Sequence, residues 1–264
     1  MKKIEGKVVV ITGASRGIGL AIAESLNGKG AIVYDISRTV LQSDVVKKAY
    51  SSDVNDYEKI SEILEEIYKT EGKIDVFINN AGFGIAGAIE KTQKENIYKQ
   101  IETNLSAVIS LSGLAIKYLK ETKGKLINIS SVAGIIPIPY QSAYSATKAG
   151  IENFSRALAN EVKAYGIKVT AVLPGDTKTG FTKARIVDGH DAQADKTISK
   201  FAKDEEKGMS ADCVAKVVVK VIKKKHPPLR VTVGFGYKFL VFLTRIIGTK
   251  MVNFIVRWLY LKKG

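Results

Sequence analysis

Short apolar runs alternate with stretches of helical periodicity along the first two thirds of this sequence. The runs are continuous and rich in Val and Ile, which indicates strands that are covered on both faces. Strands are expected at residues 8–11, 31–34, within 47–53, and at 74–78, 125–129 and 168–173, with helices after the first strand and at 57–70, 104–120 and 143–165. This alternation favours an α/β fold in which helices cover both faces of a doubly wound, mainly parallel sheet.

A glycine-rich segment at residues 13–19 lies between the first strand and its helix. In a doubly wound sheet, the Rossmann fold, missing side chains at this turn let the backbone approach a pyrophosphate at the helix N-terminus. Such a turn could also be a tight turn only, or hold another nucleotide-type ligand such as a methyl donor. The candidate nucleotide contacts in this segment are Gly13, Ser15, Arg16, Gly17, Ile18 and Gly19.

Tyr144 and Lys148 are four residues apart on a predicted helix, so their side chains share one face. A phenol is a poor acid–base group at neutral pH, but a nearby ammonium favours the phenolate and is expected to lower the pKa of the tyrosine. The Tyr-x-x-x-Lys pattern is common by chance. It therefore needs support from other positions before it indicates catalysis.

Residues 79–82, Asn-Asn-Ala-Gly, follow the fourth strand and supply that support. Together with the glycine turn and the Tyr144–Lys148 pair they resemble the short-chain dehydrogenase/reductase family, and the resemblance covers residues 4 to about 180. It implies an enzyme that moves a hydride between nicotinamide C4 and a carbonyl or carbinol carbon, while Tyr144 gives or takes the proton of the oxygen. A methyltransferase would not be expected to carry the Tyr-x-x-x-Lys pair.

The resemblance assigns roles to the other catalytic candidates. Ser131, thirteen residues before Tyr144, would orient and polarise the substrate oxygen, and its neighbour Ser130 is the alternative. Asn104, forty residues before Tyr144, would hold a water in a proton relay, although an interior helical Asn could merely bond the backbone. Lys148 would also grip the nicotinamide ribose.

Further cofactor contacts follow from the same resemblance. Ser37 and Arg38 end the second strand, and Arg38 with Arg16 resembles the basic pair that binds a 2′-phosphate, which favours NADP(H) over NAD(H). Asp35 lies two residues too early for the usual ribose-binding acid, and Arg38 could instead be a solvated loop charge. Only about ten residues separate Arg38 from the third strand, so the helix between them is expected to be a stub. The remaining candidates are Asp53, Val54, Asn80, Ala81, Gly82, Pro174, Gly175, Thr177 and Thr179.

Residues 176–209 form a long, mostly charged connection after the sixth strand, which in the family is the substrate lid. This segment, hereafter the lid, carries Phe181, Ile186, Val187, Ile198 and Phe201, and Phe83, Ile85 and Ile138 are expected at the same mouth. These side chains predict an apolar pocket and a hydrophobic small-molecule substrate, possibilities being lipid-like and steroid-like ketones.

The charge of the chain is concentrated at its C-terminal end. The formal net charge is +15, but twelve Lys or Arg and no carboxylate follow Asp212, which leaves only +3 for the rest. With one cysteine (Cys213) and two histidines (His190, His226), no disulfide and no metal site are expected. No export signal is apparent, and a cytoplasmic location is expected.

Residues 234–264, hereafter the tail, are apolar, aromatic and basic, and they predict amphipathic helices appended to a single catalytic domain at 1–233. Two interpretations stay open: the tail contacts a membrane peripherally, on its cytoplasmic face, or it packs over the sheet or against a second subunit. Nucleic acid is not expected as a partner, because the aromatic residues form a band instead of alternating with charge.

The sequence thus predicts an NAD(P)(H)-dependent, most simply NADPH-dependent, oxidoreductase of a hydrophobic ketone and alcohol. The alternatives are a reductase of small soluble carbonyls and a non-catalytic nucleotide-sensing protein. The resemblance further implies a homodimer that pairs the helices of Asn104 and Tyr144.

Overall fold

The structure, a computed structural model, describes residues 3–261 and is built on a parallel sheet flanked by helices. Its strands are β1 (Val8–Thr12), β2 (Ile32–Ser37), β3 (Lys48–Ser51), β4 (Val76–Asn79), β5 (Ile85–Ala86), β6 (Lys125–Ile129), β7 (Lys168–Pro174), β8 (Thr177–Lys178), β9 (Ile186–Val187), β10 (Met209–Ser210) and β11 (Arg230–Val233). Its helices are α1 (Gly17–Asn27), α2 (Tyr57–Glu71), α3 (Lys94–Ile101), α4 (Ala107–Thr122), α5 (Ser142–Glu161), α6 (Phe181–Ala184), α7 (Ala192–Glu206), α8 (Ala211–Lys223), α9 (Phe235–Leu243) and α10 (Gly248–Leu261).

Seven of these strands form one sheet in the order β11-β7-β6-β4-β1-β2-β3, and every neighbouring pair is parallel. From β1 the chain adds β2 and β3 in one direction and then returns to add β4, β6, β7 and β11 in the other, which is the topology of a doubly wound sheet. The predicted Rossmann fold is therefore confirmed. The carboxyl ends of all seven strands meet at one edge, and this edge is where such folds bind their ligands.

Helices cover both faces of the sheet, as the continuous apolar runs predicted. On one face α1 and α8 bury a core with Val9, Ile22 and Val218, and on the other α2, α4 and α5 bury a core with Phe77 and Leu111. Each fully buried aliphatic side chain contributes about 1.5–3 kcal/mol to folding, so these two layers hold the strand ends in fixed positions.

Two details of the sheet differ from the expectation. The connection at residues 38–47 contains no helix at all, where a stub was expected, because ten residues are too few for a helix and two turns. The sheet also gains a seventh strand beyond the six predicted, β11, which pairs with Ala171–Pro174 of β7.

The lid is more ordered than a long loop. It contains α6 and α7, and Asp191 begins α7 by accepting hydrogen bonds from the backbone N–H groups of Gln193 and Ala194. Two small parallel pairs, β8 with β10 and β5 with β9, tie the lid to the domain. Ile85, expected at the pocket mouth, is instead buried in β5 opposite Ile186.

The tail forms two helices, α9 and α10, as the amphipathic pattern predicted, while its residues 262–264 lie outside the described range. None of the helices described between residues 3 and 261 is long and apolar enough to span a bilayer. Val241 of α9 packs with Leu173 of β7, and α10 packs against α7 of the lid through Tyr260 and Phe201. The tail therefore folds back over the carboxyl edge of the sheet.

Candidate active site

A cleft of about 640 Å³ runs along the carboxyl edge of the sheet. Every residue predicted to contact the cofactor lines it, from the glycine turn at one end to Thr177 and Thr179 at the other. Tyr144, Lys148 and Ser131 line it as well, whereas Asn104 does not. The topology thus brings together residues that are up to 166 positions apart in the chain.

The glycine turn at the first end of the cleft leaves no room for side chains. A Cβ atom on Gly19 would lie 2.2 Å from the carbonyl oxygen of Gly13, and one on Gly13 would lie 3.0 Å from Cα of Ala81. Helix α1 begins within this segment, at Gly17, and no side chain caps its N-terminus. Its free N–H groups and its positive dipole end can therefore receive a phosphate.

Thr12 and Asn80 fasten the turn to the end of β4. The Thr12 hydroxyl accepts hydrogen bonds from the backbone N–H groups of Asn80 (3.0 Å) and Ala81 (3.1 Å). The Asn80 amide donates to the carbonyl oxygens of Thr12 and Gly13 at 3.0 and 2.9 Å. Asn80 thus shapes the nucleotide end through the backbone, and Thr12 is a positioning residue that the sequence-based site did not include.

The residues at the end of β2 divide into a buried acid and an exposed base. Asp35 is fully buried and accepts hydrogen bonds from the Ala14 N–H (2.8 Å) and the Ser37 hydroxyl (2.7 Å), and burial raises the pKa of its carboxyl. It braces the glycine turn and does not face the cleft. Arg38 and Arg16 are exposed, line the cleft, and form no ion pair with any carboxylate in the described part of the chain.

Asp53 and Val54 line the cleft beside these arginines. The Asp53 carboxylate also accepts a hydrogen bond from the Asn55 N–H at 3.0 Å, so it serves the ordinary turn that follows β3. Val54 is buried and gives the cleft an apolar wall at this point.

Tyr144, Lys148 and Ser131 meet where α5 begins against the end of β6. The Lys148 ammonium lies 5.7 Å from the centre of the Tyr144 ring and donates a hydrogen bond to the Ile129 carbonyl oxygen at 3.0 Å. Ser131 lies two residues further along, and Ser130 is turned away, since its hydroxyl donates to the Lys148 carbonyl oxygen at 2.8 Å. Both serines line the cleft, but it is the Ser131 hydroxyl that hydrogen-bonds with Tyr144, while it also accepts a hydrogen bond from the Ala133 N–H at 3.1 Å.

Burial dominates the electrostatics of this pair. Burial raises the pKa of Tyr144 to about 12, and a hydrogen bond with Ser131 lowers it by a smaller amount. Burial lowers the pKa of Lys148 to about 8. The expected net lowering of the Tyr144 pKa is thus not seen, because loss of water disfavours both charged forms. The tyrosine is a protonated phenol at neutral pH, which suits a proton donor.

Asn104 lies in a π-helical turn, Glu102–Ser106, between α3 and α4. Such turns are rare and occur frequently at functional sites. Its fully buried side chain accepts a hydrogen bond from the Phe83 N–H (3.0 Å) and donates one to the Phe83 carbonyl oxygen (2.8 Å). Only Gly82 separates it from Lys148, since a Cβ there would lie 3.0 Å from Asn104 Oδ1 and 3.8 Å from Lys148 Nζ. The side chain is thus committed to holding the loop after β4.

The loop after β7 is covered by the tail. A Cβ atom on Gly175 would lie 2.1 Å from the ring of Tyr237, so a glycine at this position is needed for Tyr237 to pack against the loop. The Tyr237 hydroxyl donates to the Asp176 carboxylate at 2.5 Å, and this pair fastens the start of α9 to the cleft. Pro174, Gly175, Thr177 and Thr179 all line the cleft on this side.

The lid closes the cleft next to Tyr144. The ring of Phe181 lies 5.8 Å from that of Tyr144, and the guanidinium of Arg185 lies 5.8 Å from Phe181. Arg185 is buried and forms an ion pair with Glu205 of α7, which also accepts from the Thr182 hydroxyl at 2.5 Å. Of the predicted mouth residues, Phe83, Ile138, Phe181 and Ile186 line the cleft, whereas Val187, Ile198 and Phe201 do not.

The tail supplies the apolar wall that sequence reasoning did not assign. Its contribution to the cleft consists of Tyr237, Leu240, Leu243, Thr244, Ile247, Val252, Ile255, Val256, Leu259 and Tyr260. A signal for this was present, because apolar residues occupy more of these helices than one buried face requires.

Residues 7–188 match the family model for short chain dehydrogenases. The chain belongs to the short-chain dehydrogenase family, and it is an oxidoreductase that acts on CH–OH or C=O groups. It is 36% identical over 239 residues to the 3-ketodihydrosphingosine reductase of Bacteroides thetaiotaomicron, a match that covers 88% of this chain and 89% of the relative.

Two solved structures extend the likeness to the tail. A short-chain dehydrogenase from Streptomyces avermitilis is 27% identical with a TM-score of 0.83, and covers 99% of this chain and 98% of its own. One from Burkholderia cenocepacia, in complex with NADP, has a TM-score of 0.79 at 20% identity, and covers 99% of this chain and 100% of its own. The second likeness is one of fold alone.

Proposed function

We propose that this protein is an NADPH-dependent reductase of a hydrophobic ketone. The observation that carries the proposal is the convergence of Tyr144, Lys148 and Ser131 on a cleft whose other end is a glycine cradle and whose outer wall is apolar. The 36% identity to a 3-ketodihydrosphingosine reductase supports a lipid-like substrate. Residues 1–233 form the catalytic domain in this proposal, and the tail completes its substrate pocket.

The glycine cradle fits a dinucleotide. Side chains on Gly19 or Gly13 would collide with Gly13 and Ala81 and distort the tight turn, and the uncapped N-terminus of α1 leaves N–H groups at this turn that can receive a pyrophosphate. Arg16 and Arg38 stand beside this end without an acidic partner in the described chain, and a 2′-phosphate would give both planar guanidinium groups an anionic acceptor. These features favour NADPH, with NADH as the weaker alternative.

The bound nicotinamide supplies a hydride to the carbonyl carbon. The protein supplies the proton and stabilises the negative charge that develops on the carbonyl oxygen. The Tyr144 phenol donates its proton to this oxygen, and the Ser131 hydroxyl donates a hydrogen bond to it. Lys148 stabilises the phenolate that forms, because its ammonium lies beside the ring. Asn104 holds the loop after β4 in place, and its part in a proton relay stays a prediction.

The cofactor assignment predicts a selective loss when the two arginines are removed. Arg16→Ala/Arg38→Ala is expected to raise KM for NADPH by roughly 10- to 100-fold, since charge-assisted hydrogen bonds to the phosphate are lost, and to leave KM for NADH nearly unchanged. Lys29→Ala, which removes one exposed cation away from the cleft, is the control for the loss of surface positive charge. Equal losses with both cofactors would contradict the assignment.

The pKa of Lys148 predicts the pH dependence of reduction. Its pKa of about 8 means that the ammonium is present below pH 8 and is lost as pH rises through that value, while Tyr144, with a pKa of about 12, stays protonated. The kcat/KM for ketone reduction is therefore expected to be level below about pH 8 and to fall above it. Lys148→Arg should move the fall upward, because a guanidinium keeps its proton. A profile that rises with pH would contradict the role of the ammonium.

We further propose a homodimer that pairs α4 and α5 and works in the cytoplasm, with the tail in peripheral contact with a membrane. Exposed apolar side chains at Ile109 of α4 and at Ile101, the last residue of α3, support the helix pairing. Sedimentation of the wild type and of Ile109→Glu tests it, since the charge should give a monomer.

A further inference from the structure

The two tail helices have an inner face that belongs to the cleft. Val252 and Val256 of α10 are buried and line the cleft, as do Leu243 and Ile247 at the turn between the helices. The inner face is held from both ends: Tyr237 donates to Asp176, and the Thr197 hydroxyl of α7 donates to the Tyr260 carbonyl oxygen at 3.2 Å. The tail is thus fixed in place as one wall of the substrate pocket.

The outer face of the same helices is apolar as well. More than half of the large hydrophobic side chains exposed in the described chain lie between residues 235 and 259. They include Phe235 (90% exposed), Phe239 (57%), Ile246 (65%) and Phe254 (55%). This concentration of exposed apolar side chains, hereafter the patch, marks an interaction surface, because scattered exposure would not concentrate in so short a segment.

The charges around this patch indicate its partner. Lys238, Arg245, Lys250 and Arg257 are all exposed, and no carboxylate occurs anywhere after Asp212. A second copy docked through the same face would bring two sets of these cations together with nothing to neutralise them. An anionic bilayer neutralises the cations with its headgroups and accepts the aromatic side chains below them.

The patch is continuous with the cleft. Leu240, Ile255 and Leu259 line the cleft and are also 44%, 37% and 43% exposed, so they form a border between the two. A lipid chain that enters the cleft at this border would contact the apolar side chains of the tail wall on its way towards Tyr144. Entry from the aqueous side would instead cross the charged lid.

We infer that residues 235–261 lie on an anionic membrane surface, and that the border at Leu240, Ile255 and Leu259 is the passage by which a membrane-resident, single-chain ketone reaches Tyr144. The passage rests on the proposed reductase function, whereas the membrane contact does not. The inference thus makes the tail both the membrane-binding element and the substrate entrance.

Binding is tested without any substrate, by co-sedimentation of the full chain with phosphatidylcholine vesicles with and without phosphatidylglycerol. The wild type is expected to bind the anionic vesicles. Phe239→Ser/Phe254→Ser should lower the partition coefficient at least about tenfold. Lys238→Gln/Arg245→Gln should lower it about fivefold for each cation removed, on the anionic vesicles only. The matched control Tyr57→Ser/Ile89→Ser removes apolar side chains of comparable exposure elsewhere, 44% and 52%, and should bind as the wild type does.

Failure of the wild type to bind anionic vesicles would overturn the inference. So would a tail variant that binds as the wild type does, or one whose only change is the loss of a dimer in sedimentation, since the occupant would then be a second copy.

Passage is tested by NADPH oxidation with two ketones, one short and water-soluble, the other long-chained and embedded in the vesicles. Phe239→Ser/Phe254→Ser should keep the wild-type rate on the short ketone and lose at least about tenfold on the embedded one. A variant that reduces both ketones at the wild-type rate would contradict the passage. Membrane binding without NADPH oxidation by any ketone would instead refute the reductase proposal and leave the membrane contact standing.

Discussion

Tyr144→Phe is expected to lower kcat for ketone reduction by roughly 10²- to 10⁴-fold, the range that a positioned proton donor contributes. The variant removes only the hydroxyl, so the ring keeps its packing against Phe181 and the cleft keeps its shape. The affinity for NADPH, measured by the quenching of protein fluorescence, should change by less than a factor of a few. KM for the ketone should also change little, because the lost interaction is one made in the transition state.

Tyr140→Phe is the matched control, since this tyrosine lies four residues away and does not line the cleft. It should retain the wild-type kcat. A Tyr144→Phe protein with near-normal kcat would mean that the proton comes from elsewhere, while a loss of NADPH binding would point to a structural role.

Gly19→Ala should abolish NADPH binding and, with it, turnover. The new methyl group would lie 2.2 Å from the Gly13 carbonyl oxygen and 2.6 Å from the Asn80 amide, so the turn that faces the pyrophosphate must move. We expect a rise of at least about 100-fold in the Kd for NADPH, measured by fluorescence titration, together with a lower Tm, because overpacking costs about 1–3 kcal/mol.

Gly113→Ala gives the opposite expectation and serves as its control. Nothing lies within 4 Å of a Cβ atom there, in the middle of α4, so the change should stabilise the helix by about 1 kcal/mol and leave NADPH binding unchanged. If Gly19→Ala bound NADPH as tightly as Gly113→Ala, the glycine cradle would not be the phosphate site.

Local patterns carried most of what the sequence predicted. The strands are continuous apolar runs, and the turn at residues 13–19 has glycine where φ is positive or backbone approaches closely, so both can be recognised without knowing the tertiary structure. The sequence spacing from Ser131 to Tyr144 and Lys148 also predicts that these residues lie close together in the structure, because β6 and α5 follow one another along the chain.

Long-range effects account for what the sequence did not predict. The pKa of Tyr144 depends on how deeply α5 is buried under the lid and tail, and this burial outweighs the neighbouring lysine. The side chain of Asn104 bonds the Phe83 backbone, and this partner is set by the packing of a different loop, which the spacing to Tyr144 does not indicate.

The tail is the clearest case of a feature that local sequence patterns could not predict. Its apolar surplus was visible, but whether it covered the sheet or faced outward depended on where β11 ends. Because β11 joins the sheet beside β7, α9 starts above Gly175, and the tail must cross the cleft. One face then lines the pocket and the other remains exposed, so packing on the domain and exposure of an apolar surface occur together.

The most direct test is NADPH oxidation with a series of methyl ketones of increasing chain length, run on the wild type and on Tyr144→Phe. Each methylene buried against the tail contributes about 0.8 kcal/mol, so kcat/KM should rise about fourfold per carbon until the chain fills the cleft, and Tyr144→Phe should lose activity at every length. No oxidation of NADPH or NADH by any ketone would contradict the account. So would a kcat/KM that is independent of chain length and insensitive to Tyr144→Phe.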